Sequence, residues 1–146
     1  MHVATLPIRA LVVGALIACS AVAASAQSPA QQQQSALSLQ TARFNGLWEA
    51  KLESEGKSVT YRFSIHTRDT LVSGAVQRSD RADEENIRGA VVKGNELTFR
   101  TGTTQPTTYL AVLAPETKEL KVTVQGPQPA AKLVLVAKRN DVATER

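Results

Sequence analysis

The sequence predicts an all-β fold, a small antiparallel up-and-down barrel of about eight strands. Apolar and polar residues alternate with a period of two in short runs between residues 46 and 139, as they do in half-buried antiparallel strands. Turn residues interrupt these runs about every 8–12 residues, and no segment shows sustained helical periodicity. A meander of eight strands can close and remove its own edges. An open two-sheet β-sandwich is the alternative, because strand patterning alone does not establish closure.

The first residues predict export. Arg9 precedes a short apolar run at residues 10–18, and Ala24-Ser25-Ala26 gives an A-x-A cleavage pattern. Residues 1–26 are therefore typical of a secretory signal peptide, since the apolar run is too short for a membrane-spanning helix. Export places the mature domain in the periplasm or on the outer side of a membrane.

A lipoprotein signal of residues 1–18 is the alternative. Leu16-Ile17-Ala18-Cys19 resembles the bacterial lipobox, in which the Cys is lipidated and becomes the new amino terminus. This reading predicts lipidation of Cys19 and an outer-membrane lipoprotein. Cys19 is also the only cysteine, so the sequence excludes an intramolecular disulfide, a thiolate metal site and a Cys nucleophile.

The mature chain divides into a tether, a domain and a tail. Residues 27–43 are rich in Gln, Ser and Ala and carry no charge before Arg43, a composition that predicts a disordered tether. Residues 44–139 form the predicted β-barrel domain, and residues 140–146 form a frayed tail.

The first three predicted strands show the alternation best. Residues 47–54 place Trp48 on one face and Glu49 on the other, and a hairpin turn at Gly56 leads into the second strand. The third strand contains Gly74, which suggests a bend or a bulge. A charged loop at 79–86 and several short turns separate the remaining strands. The eight predicted strands are 47–54, 58–66, 70–78, 87–92, 96–101, 108–114, 120–125 and 132–139.

The inward-facing side chains are large enough to fill a barrel of this size. An eight-stranded barrel holds either packed side chains or one small ligand, and we expect a filled core ahead of a roomy cavity. Small residues at 50, 75, 89 and 111 are the positions that could leave space. The expected interior set is Trp48, Tyr61, Phe63, Ile65, Leu71, Leu97, Phe99, Leu120, Val122, Leu133 and Leu135.

Gly46-Leu47-Trp48 resembles the G-x-W motif on the first strand of lipocalins and their calycin relatives. The resemblance implies that Trp48 closes one barrel end and that a basic residue after the last strand packs on it. Arg139 is the expected partner through a cation–π contact, so Gly46, Trp48 and Arg139 are structural. The chain is shorter than full lipocalins and lacks their helix after the barrel. It is closer to short lipocalin-like domains of bacterial exported proteins, and small eight-stranded envelope inhibitors of hydrolases are a related possibility.

The sequence predicts no catalytic site. His66 is the only histidine beyond the signal, and Ser64 and Asp69 lie near it in sequence. These residue types suit a triad, but Ser64 and His66 lie side by side on one face of a strand, and nothing suggests an oxyanion hole. A solvent-facing histidine is the simpler interpretation, and one histidine is too few for most transition-metal sites.

The charged loop offers oxygen ligands. The loop carboxylates could bind calcium, although the EF-hand spacing is absent and Arg81 and Arg88 are close enough to neutralise the cluster. These carboxylates are Asp80, Asp83, Glu84 and Glu85. A solvated loop is the alternative, and this loop is also a place for a partner contact. We therefore expect neither a metal nor a cofactor.

These observations predict an exported, non-catalytic binding protein. The formal net charge is +4, with basic and acidic residues interspersed, so a nucleic-acid partner is not expected. The partner is either a small apolar molecule, with Tyr61, Phe63 and Phe99 as the ligand-binding residues, or an envelope protein. In the alternative, an envelope interaction or hydrolase-inhibitor module, the barrel is filled and loops 79–86 and 102–107 bind. A lipid anchor would be the only membrane contact.

Overall fold

The computed structural model describes residues 28–127 and 132–140. The expected signal, the lipidation of Cys19 and the tail beyond Asn140 lie outside the described residues. Within them the chain forms one helix and nine strands: α1 (Pro29–Ala42), β1 (Gly46–Ser54), β2 (Lys57–Arg68), β3 (Leu71–Arg78), β4 (Glu84–Asn86), β5 (Arg88–Lys93), β6 (Glu96–Thr101), β7 (Thr107–Ala114), β8 (Glu119–Gln125) and β9 (Lys132–Arg139).

The strands form a single antiparallel sheet that curls into a nearly closed barrel. The sheet order is β4-β3-β2-β1-β9-β8-β7-β6-β5, so β1 pairs with β9 and brings the two ends of the meander together. Trp48 lies opposite Arg139 and Glu49 opposite Lys138 in this pairing. The predicted all-β barrel is confirmed, and the single sheet rules out the two-sheet sandwich.

The structure has one strand more than the predicted eight, because a short strand forms within the predicted loop 79–86. β4 lies in the segment predicted as a charged loop, and Ile87 alone separates it from β5. β4 pairs with β3, whereas β5 pairs with β6. One extended segment therefore spans the gap between the two sheet edges, and the remaining opening of the barrel lies between β3 and β5.

The segment predicted as a disordered tether forms helix α1, which corrects that expectation. Ser28 caps the helix: its side chain accepts a hydrogen bond from the Gln31 backbone N–H, and the Gln31 side chain accepts one from the Ser28 backbone. Pro29 occupies the first turn, and Gln and Ala are good helix formers. The composition of this segment does not reveal the capping box. Its few apolar residues do predict little burial, and Thr41 is the only buried residue of α1. No helix of the described residues is both long and apolar enough to cross a membrane.

The interior is filled with side chains. Phe44, just before β1, is fully buried and adds to the expected set. Leu71 is an exception to that set, because it is 72% exposed while its neighbour Val72 packs against the core. Trp48 and Phe63 are among the largest side chains with essentially no exposure, and the rest of this group comprises Phe44, Phe99, Ile65, Leu97, Leu120, Val122 and Thr101.

Gly74 allows β2 and β3 to approach each other closely rather than forming the expected bulge. The pairing of β2 with β3 runs in register through Gly74, whose φ is +141°. A Cβ at this position would lie 1.9 Å from the carbonyl oxygen of Ser64. The position therefore has no room for a side chain.

Candidate functional site

One end of the barrel, the closed end, is built from Phe44, Trp48 and Arg139. The Arg139 guanidinium carbon lies 4.7 Å from the Trp48 ring centroid, and the Trp48 indole N–H donates to the Phe44 carbonyl oxygen at 2.9 Å. Arg139 also donates to the Arg43 carbonyl oxygen at 2.8 Å. The Arg139 side chain lies 3.5 Å from where a Cβ on Gly46 would sit, so glycine leaves it space. These contacts cover Trp48 at this end, where a recess of about 220 Å³ remains between Arg43, Leu113 and Lys118.

An aromatic column occupies the middle of the barrel. The Tyr61 and Phe63 rings stack with centroids 6.2 Å apart, and Phe63 meets Tyr109 edge-on at 6.0 Å. Phe99 and Tyr109 are stacked at 4.9 Å. Phe63 and Phe99 are fully buried in this column, whereas Tyr61 reaches the open end. Of the three residues expected to bind a ligand, therefore, only Tyr61 lines an opening.

A recess at the open end, which we call the mouth cup, has a volume of about 270 Å³. It lies beyond the aromatic column, at the end of the barrel where the β3–β4 and β6–β7 connections lie. Its wall combines aromatic, aliphatic and charged groups. The residues that line it are Tyr61, Arg78, Arg81, Glu85, Thr107, Tyr109, Val124, Gly126, Pro127 and Leu133.

Two arginine–carboxylate pairs hold the charged side of the mouth cup. Arg78 lies over the Tyr61 ring, 5.2 Å from its centroid, and donates to both carboxylate oxygens of Asp80 at 2.9 and 2.6 Å. Glu85 pairs with Arg81 at 3.2 Å and accepts a hydrogen bond from the Thr101 hydroxyl. Arg78, Arg81 and Glu85 line the cup, and Asp80, beside the lining, balances the charge of Arg78.

The surroundings of the mouth cup shift the pKa values of two groups, Tyr109 and Asp80. Burial raises the pKa of the Tyr109 hydroxyl above its ordinary value, and the nearby Glu85 charge acts in the same direction. The hydrogen bond from Arg78 lowers the pKa of the Asp80 carboxyl. At neutral pH the cup therefore holds a neutral phenol beside an ionised Arg78–Asp80 pair.

Arg78, Glu85 and Thr101 were not expected to face the interior. A signal for Arg78 was present, since it follows buried Val76 by two residues on β3 and therefore shares its face. Thr101 likewise follows Phe99 by two residues on β6. Glu85 had no such signal, because β4 was predicted as a loop.

Ser64, His66 and Asp69 do not form a triad among the described residues. The Ser64 hydroxyl lies 3.2 Å from the His66 Nε2 on the exposed outer face of β2. Asp69 lies in the β2–β3 turn with φ +55°, and no hydrogen bond of the described residues joins it to His66. His66 is exposed to solvent, and Ser64 is half-buried.

The acidic loop holds its carboxylates against arginines. Asp80 is engaged by Arg78 and Glu85 by Arg81. In the part of the chain that the structure describes, no group of three or more His, Cys, Asp or Glu side chains is placed to hold a metal ion.

A larger groove of about 450 Å³ lies on the outer wall beside β1 and β9, between Glu49, Lys51, Val136 and Lys138. Its walls are exposed side chains of mixed charge. Lys138 is already within 3.8 Å of Glu119. Because no buried aromatic or polar group faces this groove, it is a weaker ligand site than the mouth cup.

The structure establishes the barrel but not its family. No family model, curated protein or solved structure matches the chain. The likeness of Gly46-Leu47-Trp48 to the lipocalin motif therefore stays a prediction from the sequence, beside a barrel geometry that is compatible with it.

Proposed function

We propose that the protein is an exported, non-catalytic binding protein whose mouth cup takes one small molecule. The observation that carries the proposal is that large side chains fill the barrel from the closed end to the aromatic column, whereas the recess at the mouth is lined by aromatic, aliphatic and charged groups together. A recess with two tyrosines and two ion pairs is more typical of recognition than of packing.

The cup favours a ligand with a flat apolar part and a polar edge. Its volume of about 270 Å³ lies near the lower limit for small-molecule sites, about 300 Å³. Tyr61 and Tyr109 line the recess but are only 4% and 3% exposed, so they offer a small aromatic area to a planar group. Leu133 offers an aliphatic wall. The arginine–carboxylate pairs would orient polar atoms at the rim. The sequence-based proposal of a small apolar ligand is thus narrowed to a compact amphipathic one.

Phe63 and Phe99 support such a ligand indirectly. Both pack against Tyr109 in the aromatic column, so they fix the floor of the cup instead of touching the ligand. Preorganised aromatic walls reduce the entropy lost on binding. Their role in this proposal is therefore that of positioning residues.

A second candidate function is an envelope interaction or hydrolase-inhibitor module. The filled interior favours it, because a small cup limits the ligands that the barrel could carry. In this case the loops around the mouth, at 79–83 and 102–106, would contact the partner protein. Their residues are largely exposed, and loops on a rigid scaffold are common binding surfaces.

Native mass spectrometry of the mature protein from its own host tests the choice. A co-purifying molecule of defined mass supports ligand binding, and its mass gives the ligand class. A bare protein mass, together with failure to bind a fluorescent probe such as anilinonaphthalene sulfonate, argues for the interaction module.

A pair of tryptophan substitutions ties the ligand to the cup. Leu133→Trp places a large side chain in the recess and should abolish ligand or probe binding. Val134→Trp is the matched control, since Val134 is the next residue of β9 and is 49% exposed on the outer face. If Leu133→Trp folds and still binds as well as the control, the cup is not the site.

A further inference from the structure

Two arginines face each other on the outer wall of the barrel. Arg88 of β5 and Arg100 of β6 are direct partners in the strand pairing, and both are exposed. Like charges directly opposite each other destabilise a sheet. The two positive charges therefore repel each other and raise the free energy of the folded state, and an anion bound between them would offset this repulsion.

A β-bulge creates this juxtaposition. The β5–β6 register shifts between Arg88 and Val91, where β5 holds one more residue than β6. Gly89 within the shift has φ +57°, the left-handed conformation of a glycine-type bulge. The extra residue brings Arg88 to the outer face with Arg100, although Ile87 and Ala90 on either side pack against the core.

Gly89 also lets Arg100 lie close to the backbone. A Cβ at Gly89 would be 3.6 Å from the Arg100 Nη2 and 4.0 Å from its Nε. The guanidinium of Arg100 therefore lies beside the bulge, near Arg88, instead of extending freely into solvent. This position holds the two positive groups at one groove.

Neither guanidinium has a carboxylate partner among the described residues. The ion pairs of this part of the chain involve Arg62, Arg78, Arg81 and Lys138. Arg88 and Arg100 appear in none of them, nor in the side-chain hydrogen bonds of the described residues. Their donors are therefore free for a ligand.

The β6–β7 loop completes a groove of about 300 Å³ around the two arginines. Gly102, with φ +77°, turns the chain tightly enough that a Cβ there would lie 3.2 Å from the Gln105 carbonyl oxygen. The turn places Thr103 and Pro106 on the groove wall with Arg88 and Arg100. A threonine side chain adds a hydroxyl donor to the guanidinium donors.

We propose that this arginine groove binds a phosphate oxyanion, in a free phosphate compound or in a phospholipid headgroup. Guanidinium groups match the geometry of phosphate oxygens with paired hydrogen bonds. Two of them at one groove suit an anion that presents several phosphate oxygens. The groove is a different site from the mouth cup, because Arg100 faces outward while its neighbours Phe99 and Thr101 face the barrel interior.

Titration of the protein with inorganic pyrophosphate, by calorimetry at low salt, tests the groove. The variant Arg88→Gln/Arg100→Gln should weaken binding by at least about tenfold, because it removes both positive charges and their charge-assisted hydrogen bonds. The control variant Lys57→Gln/Arg68→Gln removes the same charge elsewhere and should change affinity less than about twofold. Equal losses in the two variants, or no binding by the unchanged protein, would overturn the proposal.

Lysine substitutions separate recognition from charge. Arg88→Lys/Arg100→Lys keeps the charge but loses the planar donors, so we expect an intermediate loss of affinity. Binding equal to that of the unchanged protein would contradict the paired-donor geometry. The thermal midpoint of Arg88→Gln/Arg100→Gln should not fall, because these substitutions remove a repulsion. A loss of binding without a fall in the midpoint then reflects the groove and not unfolding.

Vesicle sedimentation distinguishes the two sources of phosphate. Vesicles of phosphatidylglycerol mixed with phosphatidylcholine are compared with phosphatidylcholine alone. Sedimentation that depends on Arg88 and Arg100 identifies the lipid headgroup as the ligand. Pyrophosphate binding without vesicle binding identifies a free phosphate compound, and a protein that binds neither contradicts the site.

Discussion

Arg139 stabilises the closed end through its side chain, so a conservative substitution there has a measurable cost. Arg139→Gln loses the cation–π contact with Trp48 and the hydrogen bond to the Arg43 carbonyl. We expect the free energy of unfolding to fall by about 1–3 kcal/mol, as measured by urea denaturation. Lys138→Gln, one residue earlier on the exposed side, should cost less than about 1 kcal/mol. Equal effects would show that Arg139 contributes only surface charge.

Gly74 is the position where a single methyl group should be most damaging. Gly74→Ala places a Cβ against the Ser64 carbonyl oxygen and strains a φ of +141°. We expect a loss of about 3 kcal/mol or more, because overpacking and backbone strain add. Gly56→Ala is the matched control, since its Cβ would meet nothing within 4 Å and only its φ of +76° is unfavourable. The thermal midpoints of the two variants give the comparison. A small loss of stability in Gly74→Ala would mean that β2 and β3 can separate easily.

Tyr109 should make stability fall at alkaline pH. Burial raises its pKa in the folded protein, so above about pH 10 the unfolded chain loses the phenol proton first. The stabilisation is complete below the unfolded pKa and is lost as the pH rises through the folded one. Tyr109→Phe should therefore reduce the alkaline decline in the free energy of unfolding. Denaturation curves at about pH 9 to 11 measure the free energy of unfolding of both proteins. If Tyr109→Phe loses stability with pH as steeply as the unchanged protein, other groups cause the decline.

At the scale of elements, α1 and the residue that follows it contribute very differently. Deleting residues 28–39 should remove helical circular dichroism but lower stability by less than about 1 kcal/mol, because these residues are largely exposed. Phe44→Ala should cost about 3–5 kcal/mol, as for other buried aromatics. Leu39→Ala, at a side chain that is 71% exposed, serves as the control and should be within about 0.5 kcal/mol of the unchanged protein. A large effect of the deletion would show that α1 is part of the domain.

The elements show what the sequence could predict and what it could not. Period-two alternation predicts β1, β2 and β6 well, since each has one buried face. The alternation does not predict the bulge at Gly89 or the short β4. A bulge breaks the alternation, and a three-residue strand is too short to show it. Hydrophobic periodicity does not predict α1 because the helix is not amphipathic. Only the capping box at Ser28 indicates it.

The candidate sites depend on long-range geometry and were therefore harder to predict. The alternation placed Tyr61, Phe63 and Phe99 on the inner face, but their depth along the barrel decides which of them can meet a ligand. Depth depends on the strand register, which brings Phe99 opposite Tyr109 and Tyr61 opposite Arg78. The pairing of Arg88 with Arg100 also follows from register, and it requires the bulge.

At the scale of the whole molecule, the seam between β3 and β5 should open first. β4 pairs with β3 over three residues only, and one backbone hydrogen bond, from the Ile87 N–H to the Gly74 carbonyl at 2.8 Å, continues that edge. The β7–β8 pairing extends over seven residue pairs, from Thr108 to Ala114. Local opening follows the density of such contacts, so β4 amides should exchange with deuterium at least about a hundredfold faster than those of β7 and β8.

A ligand bound at either proposed site should reduce the opening of the barrel between β3 and β5. The reason is that β4 and β5 each contribute a residue to one of the two sites. Glu85 of β4 belongs to the mouth cup, and Arg88 of β5 belongs to the arginine groove. A molecule bound at either site stabilises the closed state by mass action, so pyrophosphate should slow exchange at Glu85–Arg88 and leave Val122 of β8 unchanged. Arg88→Gln/Arg100→Gln should remove the pyrophosphate effect while a ligand of the cup still acts. Uniform exchange across β4 and β8, with or without ligand, would show that the barrel opens as one unit and that the seam couples nothing.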